Sequence, residues 1–227
     1  MTKSRRATSA HDARGVPAAP IDAATRLYAV LGHPVAHSLS PTMHNAAFRA
    51  AGRNAVYVAL DVPPPRLAEA LAGLHASGFA GLNVTLPHKE EALRLSRSAT
   101  PGAVLAGVAN TLRWSVDGWE AAATDGPGLL ARLEALGLEA PGLRVVVLGA
   151  GGAARGVVAA LAEAGAASIA IVNRSADRAT ALASVRGSSA CRIETVRWGA
   201  TPQVKADLLV RALATEQVGP EERAAWD

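Results

Sequence analysis

The sequence predicts an α/β protein of two successive parallel-sheet units, the second of them an incomplete Rossmann-like domain, and three observations predict it. Half of the 227 residues are hydrophobic, enough for a sizeable core, although only 4% are aromatic. From Leu27 onward short apolar runs alternate with helical patterns, the order of a parallel sheet covered by helices. Arg144 to Arg155 reads RVVVLGAGGAAR, a β-branched strand that runs straight into a glycine-rich turn and a helix.

Residues 1–24 are basic, rich in Ser and Ala and without apolar periodicity, so a disordered tail outside the fold is expected there. That tail lacks the apolar region of a secretory signal. It also carries half of the formal charge of +4, which leaves the remainder too thinly charged for a nucleic-acid footprint. No apolar run reaches the length of a membrane span. Cys191 is the only cysteine, which excludes an intrachain disulfide and a cysteine-based zinc site and fits a reducing, cytoplasmic setting. No metal is expected, and the oligomeric state stays open.

Leu27 to Leu31 is the first strand, broken by Gly32, His33 and Pro34 into a loop that carries His37, Ser38 and Ser40. Ser40 before Pro41 reads as a helix N-cap with proline in the first turn, and the helix ends at Gly52. Val56 to Leu60 is a second strand. Pro63 to Pro65 opens a helix whose Leu67, Ala70, Leu71 and Leu74 fall on one face. Gly81 to Thr85, a third strand, leads into Leu86, Pro87, His88 and Lys89 at the strand end where open α/β sheets place ligands. Ala109–Trp114 and Trp119–Ala123, joined around Asp117 and Gly118, read as a hairpin. After Thr124, Asp125 and Gly126 comes a helix with Leu129, Leu133 and Leu136 on one face, ending at Gly137. The domain boundary is expected near Asp125 to Gly128, giving a substrate unit over 25–125 and a nucleotide unit over 126–210.

In the second unit, Gly149 permits the tight turn, Gly151 the approach of a pyrophosphate, and Ala154 the close packing of helix on strand. Ala150, Gly152 and Ala153 complete the loop, and the helix that follows stops at Gly165. The next strand, Ser168 to Val172, ends without the acid that would bind a ribose 2′-hydroxyl. Asn173, Arg174, Ser175 and Arg178 stand there instead, and two guanidiniums suit a 2′-phosphate, hence NADP(H). The same residues also fit a helix N-cap at Ser175 with solvated arginines.

Four further segments, GHPVAHSLSPTMHN, NVTLPHK, GVANT and TDGPGL, precede the glycine loop in order. That series resembles shikimate dehydrogenase, an NADP-dependent family of aromatic amino-acid biosynthesis, over roughly Arg26 to Val210. The resemblance implies a small-molecule substrate, with reduction of 3-dehydroshikimate to shikimate in a cleft between a substrate domain and a nucleotide domain. It implies that Lys89 is the general acid and base and that Asp125 orients it. Ser38 and Ser40 match residues that hold the substrate carboxylate, and Thr85 and Asn110 match residues around the ring hydroxyls. By themselves the residues also fit a surface lysine after a strand and an N-cap at Thr124 or Asp125.

The chain departs from the family pattern at Ala123, usually Asn, and after Val210, where RALATEQVGPEERAAWD replaces the family's later motifs. A truncated or frameshifted ending is therefore expected, with 211–227 a divergent tail. Two alternatives follow: a non-catalytic nucleotide-binding remnant, or a quinate/shikimate dehydrogenase that uses NAD.

Overall fold

The computed structural model describes residues 21–185, 190–199 and 205–213. Arg26–Gly32 (β1) is buried from Ala29 onward and pairs in parallel with Ala55–Asp61 (β2) on one side and Gly81–Val84 (β3) on the other. Two crossovers make this possible, through Ser40–Ala50 (α1) and through a 3-10 turn at Pro64–Arg66 followed by Leu67–Ala76 (α2). Leu67 and Leu71 of α2 are buried in the core under the sheet, with Ala70 and Leu74 packed against it. Lys89–Arg94 (α3), Ser98–Ala99 (β4) and Pro101–Ala106 (α4) come next, in a stretch where the sequence reading places no element. The signals for α4 were there: Thr100 accepts from the Ala103 N–H at 3.3 Å, Pro101 starts the helix, and Gly107 ends it at φ +67°. Thr111–Ser115 (β5) and Gly118–Ala122 (β6) form the expected hairpin, and the sheet order is β2-β1-β3-β5-β6-β4.

The second sheet collects Arg144–Leu148 (β7), Ser168–Asn173 (β8), Arg192–Arg197 (β9) and Leu208–Arg211 (β10), all parallel, in the order β10-β7-β8-β9. The order reverses at β7, so the switch point where such sheets bind ligands lies at the C-terminal ends of β7 and β10. Strand β9 carries no uniform apolar run and is absent from the sequence reading. Asp125–Ala135 (α5), Gly152–Glu163 (α6) and Ala176–Ala183 (α7) accompany the sheet. Seven residues of α6 are buried, and Val158 and Leu161 pack in one core with Val145, Val147, Ile169 and Ile171. No helix among the described residues is long and apolar enough to cross a membrane.

Four sequence expectations are corrected. Ser40 is not the N-cap of α1, because Leu39 before it already has helical dihedrals and takes that position without a side-chain cap. The polar side chain acting there is that of Ser38, whose Oγ accepts from the Ser40 N–H at 3.3 Å. Leu136 does not share the apolar face of α5: the helix ends at Ala135, and Leu136 is 56% exposed while Leu133 is buried. Of the disordered tail expected over 1–24, residues 21–24 are held in place, with the Asn54 side chain donating to Asp22 at 2.9 Å. Of the divergent tail expected over 211–227, Arg211 ends β10 and the Ala212 N–H donates to the Leu148 carbonyl at 2.8 Å. Residues 1–20 and 214–227 lie outside the described residues.

Helices α5 and α6 cross at two glycines. A methyl group on Gly126 would sit 2.3 Å from the Gly156 carbonyl oxygen and 2.4 Å from Ala160 Cβ, so only glycine lets the helices approach this closely. We expect Gly126→Ala to separate them at a cost of about 1 to 3 kcal/mol. Urea unfolding checks this, and a midpoint equal to wild type would show that the crossing relaxes freely.

Strand β10 is tied to β7 at its start. Asp207 accepts from the Arg144 guanidinium at 2.7 and 3.0 Å and from the Arg144 backbone N–H at 2.9 Å. These contacts, the guanidinium first, push the Asp207 carboxyl down from 3.8 to about 2. A depressed carboxylate adds stability above its unfolded value, and that stability is lost as pH falls through the folded value. Asp207→Asn should therefore lower the denaturation midpoint slightly above about pH 4, with the difference closing toward about pH 2. A difference that persists undiminished to the acid end would mean that another group carries it.

Candidate active site

Strands β1 and β3 run parallel, so the loops that follow them leave the same end of the sheet. The Thr85 N–H donates to the Leu31 carbonyl at 2.8 Å and the His33 N–H to the Leu86 carbonyl at 3.0 Å, which laces the two loops together. Gly32 lies directly beneath Thr85, where a methyl group would meet Thr85 Cγ2 at 2.5 Å. His88 is buried and donates from Nε2 to the Val62 carbonyl at 2.8 Å, fixing the turn from which α3 starts. Lys89, the first residue of α3, is thereby held pointing inward and is only 9% exposed.

Its ammonium does not reach solvent as a surface lysine would. Lys89 Nζ donates to Asp125 Oδ2 at 2.6 Å, across 36 residues of sequence. Asn110 Nδ2 donates to the other oxygen, Asp125 Oδ1, at 2.8 Å, and to Thr124 Oγ1 at 2.9 Å. Asn110 Oδ1 in turn accepts from the Thr124 N–H at 2.6 Å. Thr124 stands at the N-cap position of α5 without bonding a helix amide; its hydroxyl instead meets that of Thr111 at 2.9 Å. Asn83 donates to Thr111 Oγ1 and to the Asn110 carbonyl, both at 3.3 Å, and accepts from the Tyr57 hydroxyl at 2.7 Å. Burial pushes the Tyr57 phenol up to about 12, so it stays a donor at any ordinary pH. The result is one polar network from Tyr57 to Lys89, in which Asp125 joins Lys89 to Asn110.

Lys89, Asp125, Asn110 and Thr85 are therefore gathered at one end of the first sheet. Ser38 and Ser40 leave β1 at that end too, but among the described residues neither hydroxyl bonds the Lys89–Asp125 pair. Sequence reasoning gave Asn83 and Thr111 no role and read Thr124 as an N-cap, although all three lie inside the segments NVTLPHK, GVANT and TDGPGL; Tyr57 it missed altogether, because nothing local marks it.

The glycine loop faces this group across a cleft of about 390 Å³. Gly149 to Ala153, Asn173, Arg174 and Arg178 line one side, and Thr85, Leu86 and Lys89 the other. Gly149 has φ +102° and no room for a methyl group, which would lie 2.7 Å from the Ala212 carbonyl oxygen. Above Gly151 the space is open, as a phosphate approaching the backbone requires. Two residues of the expected cofactor set do not line the cleft: Ala154 is fully buried under the loop, and Ser175 caps α7 by accepting from the Arg178 N–H at 3.4 Å. The Arg174 guanidinium lies 6.0 Å from the Trp198 ring centroid, and so has a partner that the sequence did not suggest. Arg211, at the end of β10, lines the same cleft and was also missed, although the last residue of a parallel strand at a switch point is where a ligand contact is expected.

Residues 30–112 match the shikimate dehydrogenase substrate binding domain, and residues 133–219 match the shikimate / quinate 5-dehydrogenase model. A solved shikimate 5-dehydrogenase of Thermus thermophilus, in complex with NADP(H) and shikimate, is 40% identical with a TM-score of 0.72, over 83% of this chain and 69% of that one. The chain belongs to the shikimate dehydrogenase family. A shikimate dehydrogenase (NADP(+)) of Anaeromyxobacter sp. (strain K) is 56% identical over 114 residues. That match takes in 50% of this chain and 41% of the relative, so the chain spans about two fifths of the length of such curated relatives. The ligand-free 5-ketofructose reductase of Gluconobacter sp. strain CHM43 is also similar, at 34% identity and a TM-score of 0.76 over 83% of this chain and 69% of that one. The shikimate dehydrogenase architecture thus accounts for the two sheets.

Proposed function

We propose that this chain carries the substrate and cofactor sites of an NADP-dependent shikimate dehydrogenase, which reduces the ketone of 3-dehydroshikimate to the hydroxyl of shikimate. The observation that carries the reading is the Lys89–Asp125 contact of 2.6 Å at the rim of the glycine-loop cleft. Backbone amides of residues 149–153 would hold the pyrophosphate of NADP(H), with Arg174 and Arg178 on the 2′-phosphate. When bound, that cofactor supplies the hydride.

The chain's own residues manage the proton and the alignment. Negative charge collects on the ketone oxygen as it is reduced, and the Lys89 ammonium stabilises that charge and donates the proton that completes the hydroxyl. Asp125 keeps the ammonium aimed and accepts from a ring hydroxyl, while Asn110 fixes Asp125 from the other side. Thr85 and Asn110 bond further ring hydroxyls, and Ser38 and Ser40 hold the carboxylate. In the oxidative direction Lys89 takes the proton back as its neutral amine. The setting of this reaction is the cytoplasm, where Cys191, buried and with its thiol pKa raised by that burial, stays reduced.

The test is NADPH consumption by the purified 227-residue chain with 3-dehydroshikimate, shikimate being identified chromatographically, with NADH and with the dehydroquinate–quinate pair as parallel arms. Turnover confined to NADPH and 3-dehydroshikimate is the expected result. NADPH binding without turnover on either substrate would favour a non-catalytic nucleotide-binding chain.

A further inference from the structure

The first turn of α6 touches each of the elements that supply the reacting pair. Gly152 lies against the Lys89 stem: a methyl group there would sit 3.0 Å from Lys89 Cδ and 3.2 Å from its Cβ. One turn on, Gly156 packs beneath the start of α5, its carbonyl at the Gly126 crossing and its own Cα face toward Asp125 Cβ. Between them Arg155 reaches back 49 residues, its Nε donating to the Ala106 carbonyl at 2.8 Å. The guanidinium covers the C-terminus of α4 so closely that a methyl group on Gly107 would meet Nη2 at 2.7 Å. A cation there also suits the exposed carbonyls of a helix end. The segment so fastened is the one that holds the site: the Ala109 N–H donates to the Lys89 carbonyl at 2.8 Å, and Asn110 binds Asp125.

We propose that Arg155 is a positioning residue: by fastening the first turn of α6 to the end of α4, it seats Gly152 against Lys89 and sets the Lys89–Asp125 contact from the nucleotide side of the cleft. Arg155 touches neither of the two residues. It fixes the separation between the segment that carries Asn110 and the helix against which both Lys89 and Asp125 rest. Glycine at 152 is then required for close contact with the lysine stem, whereas the open backbone toward a phosphate is that of Gly151. The inference rests on Lys89 being the proton donor, but its geometric content is independent of turnover.

Two readouts test it in the full chain. The first is competitive acetylation by trace acetic anhydride, scored by peptide mass spectrometry as the rate at Lys89 relative to exposed Lys205. A buried, bonded amine reacts through local opening, so wild-type Lys89 should lag Lys205 by about tenfold or more. Arg155→Met should bring it within about threefold, with Arg155→Lys between the two, because a lysine restores a donor and a charge at the end of α4. Gly152→Ala should release Lys89 likewise, whereas Gly128→Ala, where an added methyl meets nothing within 4 Å, should not. The second readout is kinetic: Arg155→Met should lower kcat by about ten- to a hundredfold with KM for 3-dehydroshikimate nearly unchanged. An Arg155→Met chain that keeps both Lys89 protection and kcat within about twofold of wild type overturns the proposal. If that variant does not fold, Gly152→Ala decides, because unchanged protection of Lys89 in it overturns the proposal as well. If the wild type shows no turnover, the proposed function fails while the acetylation series still reports on Arg155.

Discussion

Replacing Lys89 by Met should lower kcat for 3-dehydroshikimate reduction by about 10² to 10⁴ and leave NADPH affinity within about threefold. The size of the effect follows from two losses made together. Without the ammonium, no positioned proton donor remains at the developing alkoxide, and the charge on that oxygen faces the Asp125 carboxylate alone. Methionine keeps an unbranched stem of similar length, so the contact with Gly152 and the packing of α3 survive, which separates chemistry from folding. Leaving Asp125 unpaired costs something in stability, but Asp125 is partly exposed and keeps its bond from Asn110, so the fold should hold. Steady-state kinetics with a fluorescence titration of NADPH distinguishes the outcomes. A variant that turns over at the wild-type rate would return Lys89 to a structural ion pair and remove the mechanism proposed above.

The parts of this fold that were legible in the sequence share one property: their signals are local. Strand β7, the glycine turn and α6 are written in consecutive residues from Arg144 onward, and the structure places them as a buried strand, a turn at φ +102° and a helix with seven buried positions. The hairpin β5–β6 is equally local, since Val116 and Asp117 turn the chain and Gly118 opens the second strand opposite Ser115. Strand β9 escaped because Arg192, Glu194 and Arg197 interrupt its apolar residues, and it finds its place only by pairing with β8. At the site, Lys89 and Asp125 each carry a credible reading as a surface lysine and a helix cap, and only the resemblance to the family singled them out. What the sequence could not supply is the tertiary reason they meet: two glycines at the α5–α6 crossing that bring the start of one helix to the start of the other. The Tyr57–Asn83–Thr111–Thr124 chain was hidden for the same reason, being assembled from three strands and a helix start.

Arg174→Ala should weaken NADPH binding by about ten- to a hundredfold and leave NADH binding nearly unchanged. The two cofactors differ only in the 2′-phosphate, so the comparison isolates whatever holds that group. Arg174 and Arg178 line the cleft at the end of β8, where no acid is present to accept from a free ribose hydroxyl, and Asn173 is tied to the Ser175 carbonyl at 2.9 Å. Of the two guanidiniums, Arg174 has an aromatic partner, the Trp198 ring 6.0 Å from its carbon centre, and a side chain held in this way loses less entropy on binding. A hydrogen bond between charged partners is worth about 1.5 to 3 kcal/mol, which converts to the stated range. Arg174 is exposed, so salt should erode the preference, and the ratio of NADPH to NADH affinity should fall as ionic strength rises. Isothermal titration with both cofactors at low and high salt measures each term. Equal losses for NADPH and NADH would mean that Arg174 supports the cleft as a whole through Trp198, and the preference for the phosphorylated cofactor would then have to come from Arg178 or Arg211.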